Sequence, residues 1–326
     1  MTKISDLIKH DEFALYVRQA MADRSVLLRS GIASTDAVIA GRCSAAGFGG
    51  EVVNLPFFNE LGLGGSFEGA PIVEDNPLTP DKITADVDRA VICRRGKPFG
   101  ATDLSAMESG ADPLKAIGDG IADWWNKAQN VRLIKTLNGA LGAVSSLVLN
   151  IASTVGTGKY DKCVTADSLL DAAQLLGDQK SNLTAYAMSS ATETWLQKLE
   201  GSDLFKPSDL PNSLKVYNGR AVVIDDNIAD GTVYLFGPGA VALNDCPCEY
   251  PFEAYREELA SQSGIVTRNA SILHVRGIKW KGDTLETPVH KPTNANLETA
   301  ANWERVYPVK HIRVAKLVGN IQAAAS

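Results

Sequence analysis

The 326-residue chain has no run of about 20 apolar residues, the length a spanning helix needs, so an integral membrane protein is not expected. Cysteine is sparse. Cys43, Cys93, Cys163, Cys246 and Cys248 are odd in number and scattered, unlike the dense, even sets of secreted disulfide scaffolds. They read as small thiols in a reducing cell. The close pair Cys246-Pro247-Cys248 has no second Cys or His cluster beside it, so the four ligands of a zinc site are missing. Histidine is rarer, with His10, His274, His290 and His311 dispersed; His274 and His311 fall in predicted strands and read as packed or surface residues. The segment MTKISDLIKHDEF carries a charge every few residues and no apolar stretch, so the reading is a cytosolic product without a secretory leader. An excess of basic residues is absent too. There are 32 Lys+Arg against 38 Asp+Glu, and a net charge of −6 does not suit a protein that works by gripping phosphates.

Signatures of catalysis are equally thin. STVGTGKYDK fails the phosphate-loop pattern, because Ser153 stands where its first glycine belongs and Tyr160 replaces the magnesium-binding hydroxyl. There is no GxGxxG, GxSxG or HExxH. Asp225-Asp226 follows a predicted strand and reads as a turn rather than a catalytic pair. Trp124-Trp125 reads as core. No catalytic, cofactor-binding or metal-binding residue is nominated, and no cofactor is expected.

What is present is 45% hydrophobic residues, which excludes a disordered chain and supports a sizeable core in roughly two domains. EVVNLPFF (51–58) and ITADVDRAVICRRG (83–96) read as strands. Between them, residues 59–81 hold four Gly, three Pro and no basic residue. So long a connection inside a compact domain is either a lid or a projecting two-stranded arm. Charge favours the arm. Residues 51–81 carry six acids, including Glu60, Glu68, Glu74 and Asp75, while Arg89, Arg94, Arg95 and Lys97 cluster at the base. A solitary hairpin is marginal in water, and one with an acidic tip and a basic root finds its missing contacts on copies of itself.

Asp112-Pro113 is a strong helix start. Apolar residues then recur in steps of three and four, among them Ile117, Ile121, Trp124, Ile134, Leu137, Val144 and Val148. This predicts a helix over 113–150, about 55 Å long, with those first five residues in its core-facing stripe. Four glycines (118, 120, 139, 142) imply close packing or a bend. TADSLLDAAQLLGD, with Thr165 or Asp167 as cap, and NLTAYAMSSATETWLQKLEG read as further helices. The period then changes to two: LKVYNGRAVVIDD is a hairpin about Asn218-Gly219. TVYLFGPGAVALND, SGIVTRNASILHVRGIKWKG and VKHIRVAKLVGNI follow as strands. Without regular βαβ alternation the class is α+β.

This order of arm, long hairpin, spine helix and mixed body resembles the major capsid proteins of tailed bacteriophages, with the Hong Kong 97-like fold. The residues carrying it are EVVNLPFFNEL, LTPDKITADVDRAVICRRGKPFGATDLS, ADPLKAIGDGIADWWNKAQNVRLIKTLNGAL, LKVYNGRAVVIDD, YLFGPGAVAL, EAYREEL, HVRGIKW and PTNANLETAANWERVYPVKHIRVAKLVGNI. The resemblance implies an N-terminal arm over 1–48, an extended loop over 49–100, and a peripheral domain with the spine helix over 101–164. It further implies an axial domain over 165–262 and a return to the peripheral domain over 263–326. By resemblance the chain is a structural protein, not an enzyme. It would assemble in the host bacterial cytoplasm into hexamers and pentamers of an icosahedral virion capsid, enclosing double-stranded DNA without sequence-specific binding. The implied partners are other copies, a separate scaffold protein, a portal and a decoration protein, with no membrane. Two rivals stand beside it: an encapsulin-type cellular cage of the same fold, and a soluble α+β enzyme with 59–81 as a lid. Lys82 and Lys97 are the lysines of the loop region, and nothing in the sequence activates either for cross-linking.

Overall fold

The computed structural model describes residues 32–45, 51–61, 82–109, 113–153, 161–200, 206–207, 215–248, 250–285 and 289–322. The arm tip with Glu68, Glu74 and Asp75 and the Asp112 cap lie outside them.

In chain order the elements are β1 (Ala33–Ser34), α1 (Ala37–Ala45), β2 (Val52–Phe58), β3 (Ala85–Thr102), α2 (Asp103–Ser109) and α3 (Pro113–Gly142). Then come β4 (Val148–Asn150), α4 (Ala166–Gln174), β5 (Ala185–Met188), α5 (Ser190–Glu200), β6 (Lys206–Pro207), β7 (Lys215–Tyr217), β8 (Arg220–Ile224) and β9 (Thr232–Phe236). The chain ends through β10 (Val241–Cys246), β11 (Phe252–Glu257), β12 (Gln262–Val275), β13 (Ile278–Trp280), α6 (Asn294–Glu298), β14 (Trp303–Arg305) and β15 (Val314–Val318).

Two sheets organise these. One has six strands in the order β1-β10-β12-β3-β2, with β11 also paired to β12. The other has seven, in the order β4-β15-β9-β5-β8-β7-β6. β3 is the long member. Its residues 92–102 pair with β12 and its residues 85–91 pair with β2, both antiparallel. At about 3.4 Å per residue its 18 residues span roughly 60 Å, so the arm and the body share one strand.

Several sequence expectations change here. The long helix stops at Gly142 after 30 residues, about 45 Å, and not at 150. Val144 and Leu147 keep the apolar spacing because they are buried, but they sit in a turn and a 3-10 segment leading to β4. There the β-branched Val148 pairs in parallel with Lys316. The run 182–201, expected as one helix, is strand β5 followed by α5. All four residues of β5 are buried between β8 and β9, so the strand shows no alternation to reveal it. The strand expected from Val309 starts only at Val314, after a 3-10 turn. TVYLFGPGAVALND divides at Gly237-Pro238-Gly239, placing β9 in the seven-stranded sheet and β10 in the six-stranded one. The chain therefore passes from the seven-stranded to the six-stranded sheet near 240, and β15 returns to the seven-stranded sheet. Cys246 is disulfide-bonded, in contrast to the expected free thiol, whereas Cys93, Cys163 and Cys248 are free.

The hairpin about Asn218-Gly219 is present, with φ of 48° and 74°, the two left-handed residues a tight primed turn needs. Thr165 caps α4 by accepting from Ser168 N, and the Ser168 hydroxyl returns the bond.

The main core is continuous across both sheets. It runs from Val91, Leu273 and Val275 through Leu133, Leu137 and Leu141 of α3 to Tyr186, Val233 and Leu235. Ile134 and Leu137 lie in it, while Ile117, Ile121 and Trp124 are only half-buried, so the outer half of α3 is not core. The glycines divide in the same way. A Cβ on Gly139 would collide with the Leu297 carbonyl and lie 2.7 Å from Trp303 Nε1, so α3 crosses the α6 turn backbone to backbone. Gly118 and Gly120 face open space. Gly139→Ala is expected to cost about 1–3 kcal/mol. Gly118→Ala should instead raise stability by about 0.5–1 kcal/mol through helix propensity. Urea midpoints of the two variants read the contrast, and a neutral Gly139→Ala would contradict the close crossing.

Candidate assembly surface

The arm leaves the body along an edge. β2 is the last strand of its sheet and pairs only with β3. Its outer side is held by few contacts: Arg42 donates to the Asn54 carbonyl (2.7 Å), and Phe57 meets Tyr307 edge-to-face at 4.7 Å. Asn59 closes the described end, donating from its backbone N to Thr84 O (2.9 Å) and from Nδ2 to the Thr84 hydroxyl (3.0 Å). At the end of β2, just past it and just before β3, Phe58, Leu61 and Ile83 are 73%, 70% and 57% exposed. Three large apolar side chains at the mouth of a projecting hairpin are a surface that awaits a cover.

The nominated charges separate into two groups. Arg89 forms an ion pair with Asp283 (3.2 Å), and Arg95 donates to the Pro292 carbonyl, so both are committed within their own subunit. Arg94 and Lys97 are exposed on the strand, and Glu60 is exposed 3.7 Å from His311 Nε2. These basic residues do not share one patch. Positions 89, 95 and 97 alternate onto one face of β3 and position 94 onto the other.

Sequence reasoning missed a buried carboxylate–imidazole contact at the arm root. Asp88, 2% exposed, accepts from His274 Nε2 (2.9 Å) and Gly277 N (3.0 Å) through Oδ2, and from Arg89 N (2.9 Å) through Oδ1. Burial pushes this carboxyl up. The His274 ring and the two backbone N–H groups outweigh it and hold Asp88 below the usual carboxylate range. The signal available in sequence was the phase of the strand. ITADVDRA places Asp88 opposite Val87, and the structure buries the polar phase here because β3 is covered on both faces at its centre.

A second polar cluster lines an open cleft of about 730 Å³ between α3, the 226–234 segment, α6 and β15. Lys135 donates to both Glu298 oxygens (2.9 and 2.8 Å). Asn138 Oδ1 accepts from the Tyr234 hydroxyl (2.5 Å) and from Lys316 Nζ (2.8 Å). Burial pushes the Lys316 ammonium down, and Glu298 opposes that. Burial, with the Glu298 charge, drives the Tyr234 phenol well above its usual value. Each of these groups already has a partner, so the cluster ties the spine helix to the seven-stranded sheet and presents no poised base or nucleophile. Trp125 likewise ties α3 to the other sheet, donating from Nε1 to the Thr267 hydroxyl (3.1 Å). Asp225, read as a turn residue, is buried and accepts from Asn130 Nδ2 (2.6 Å), while Asp226 accepts from Ser190 N at the start of α5 (2.8 Å). Among the described residues no group of three or more His, Cys, Asp or Glu is placed to hold a metal ion, and no helix is long and apolar enough to cross a membrane.

Residues 31–312 match the Gp13-like family model, described as major capsid protein 13-like. The chain is 33% identical over 333 aligned positions to the major capsid protein of Bacillus phage SPP1, covering 99% of each. Among solved structures it is similar to one of Mycobacterium phage Che8, with a TM-score of 0.54 and 15% identity over 80% of this chain and 90% of that one. A structure of Mycobacterium phage Bobi gives a TM-score of 0.54 with 11% identity, covering 94% of both chains. The capsid of Ralstonia phage GP4 gives 0.51 with 9% identity, over 70% of this chain and 80% of that one. At such identities the structures speak for the fold.

The buried carboxylate makes a prediction of definite sign. Because its folded pKa lies below the unfolded value, Asp88 contributes stability that is present above about pH 4 and is lost as pH falls through the folded value. Asp88→Ala should cost roughly 3 kcal/mol at neutral pH. It should also flatten the acid limb of the stability curve, read by urea denaturation across pH. An unchanged acid limb would contradict the assignment.

Proposed function

The chain belongs to the Gp13-like major capsid protein family, and from that membership we propose how its surfaces build a shell. It is a structural capsid shell protein of a tailed phage, α+β in class and Hong Kong 97-like in fold. The observation that carries this is the 33% identity with a phage major capsid protein along 99% of both chains.

Copies join as hexamers and pentamers of an icosahedral shell around double-stranded DNA, with no sequence-specific grip on it. Assembly takes place in the host bacterial cytoplasm, with a separate scaffold protein and a portal as partners and a decoration protein as an optional one. The role is structural and not enzymatic. The six-stranded sheet and α3 make the peripheral part, and the seven-stranded sheet makes the axial part. Residues 1–48 form the N-terminal arm and 49–100 the extended loop.

The arm of one copy lies over its neighbour. What supports this is the exposed apolar mouth at Phe58, Leu61 and Ile83, together with the surplus of acids along 51–81. Glu60, Glu68, Glu74 and Asp75 would meet basic groups of the neighbouring copy, with Arg89, Arg94, Arg95 and Lys97 on β3 as the candidates. Charge complementarity of this kind registers a contact more than it holds it, and closed symmetry makes many modest contacts cooperate.

Deletion of residues 60–80 is expected to leave a folded subunit that no longer assembles, measured by light scattering and negative-stain microscopy. Normal shells from the deletion would refute the role given to the arm. A persistent monomer of the intact chain, co-expressed with its scaffold, would refute the shell itself.

A further inference from the structure

Each of the three histidines among the described residues faces a carboxylate, and in each case the carboxylate belongs to the arm root and the imidazole to the C-terminal part of the body. His290 Nδ1 lies 3.1 Å from Glu51, at the start of β2. His311 Nε2 lies 3.7 Å from Glu60, just past its end. His274 Nε2 lies 2.9 Å from Asp88 on β3, between them. We propose that the two outer pairs are a pH-dependent clasp on β2, closed when the imidazoles are protonated and slack when they are neutral, pivoting on the buried Asp88–His274 contact.

The division of roles follows from solvation. His274 is 1% exposed and its Nδ1 has no partner, so charging that ring would leave a bare N–H in the core. The contact therefore serves as a fixed anchor, built on an Nε2–H donated to a carboxylate. His290 and His311 are 58% and 47% exposed at the side chain, so their pairs with Glu51 and Glu60 stand at the solvent boundary and not in the core. An imidazole is the side chain whose ordinary charge change falls between pH 5 and 8.

Other charged groups stand close by. Arg89 with Asp283, Arg276 with Asp36, and Lys310 with Asp178 are ion pairs, and Tyr307 packs on Phe57 beside Asp88. Lys291 is the exposed sequence neighbour of His290. Side chains of these types ordinarily keep their charge state across that interval, so they set a constant background. β2 is suited to respond, because it is an edge strand with a backbone ladder on one side only. Mild acid thus holds the arm root on its own body, and neutral pH loosens the β2 edge, while the apolar mouth is exposed with the clasp closed. The clasp is a property of the single subunit, so it stands or falls separately from shell formation.

The test is hydrogen exchange of the β2 amides in the full-length, unassembled chain, corrected for intrinsic exchange, at about pH 5.5 and about pH 8. Protection is expected to be about fivefold higher at the lower pH, from two exposed pairs each supplying about two- to threefold. His290→Gln/His311→Gln should fold normally, because both side chains are on the surface, and should lose the difference. Added salt of about 0.5 M should shrink it in the native sequence. Equal protection at both pH values, or a difference that survives in the double variant, would overturn the clasp.

Discussion

Strand β3 serves two ladders, and the rest of the molecule is arranged around that division. Its residues 92–102 are locked to β12 in the body, and its residues 85–91 carry β2 out to the arm. A long strand with a partner along its whole length is stiff, so the direction of the arm is set by the sheet and not by a loop. The change of partner comes at residues 91 and 92, where Val91 and Ile92 are buried in the two separate apolar clusters. Asp88 and His274 fix the junction three residues further out. The anchor is therefore a buried carboxylate hydrogen-bonded to an imidazole and to backbone N–H groups within a few residues of the change of partner.

The same logic divides the spine helix. From Leu133 to Leu141 it is packed between both sheets, crosses α6 through Gly139, and is pinned by Asn138 to Tyr234 and Lys316. From Ile117 to Trp125 it is half-buried, with Trp124 set edge-on to Phe99 at 5.8 Å. A subunit built this way has a main core spanning both sheets, a smaller second cluster, and a spine helix whose outer half is less buried. That distribution suits a part designed to be completed by copies.

Local chemistry made much of this legible. The alternation in ITADVDRA, the Asn-Gly turn, the Thr165 cap and the i, i+3, i+4 spacing after Pro113 each follow from a few neighbouring residues. What escaped depends on distant partners. AYAM in β5 was read as helix because a strand buried on both faces shows no alternation. The split of YLFGPGAVAL between two sheets is invisible locally, since both halves are good strands. The contacts of Arg89 with Asp283 and of Arg95 with the Pro292 carbonyl were invisible because those partners lie nearly 200 residues away in sequence. The histidine–carboxylate pairs escaped for the same reason, with sequence separations that only the fold closes.

The central claim is that the arm beyond Asn59 completes its contacts on another copy of the chain. Electron cryomicroscopy of assembled particles tests it most directly, by following density from Phe58 to Ile83. The account predicts that this density leaves its own subunit and lies across a neighbour, covering Phe58, Leu61 and Ile83. Density that folds back over the same subunit, with those side chains buried there, would contradict it.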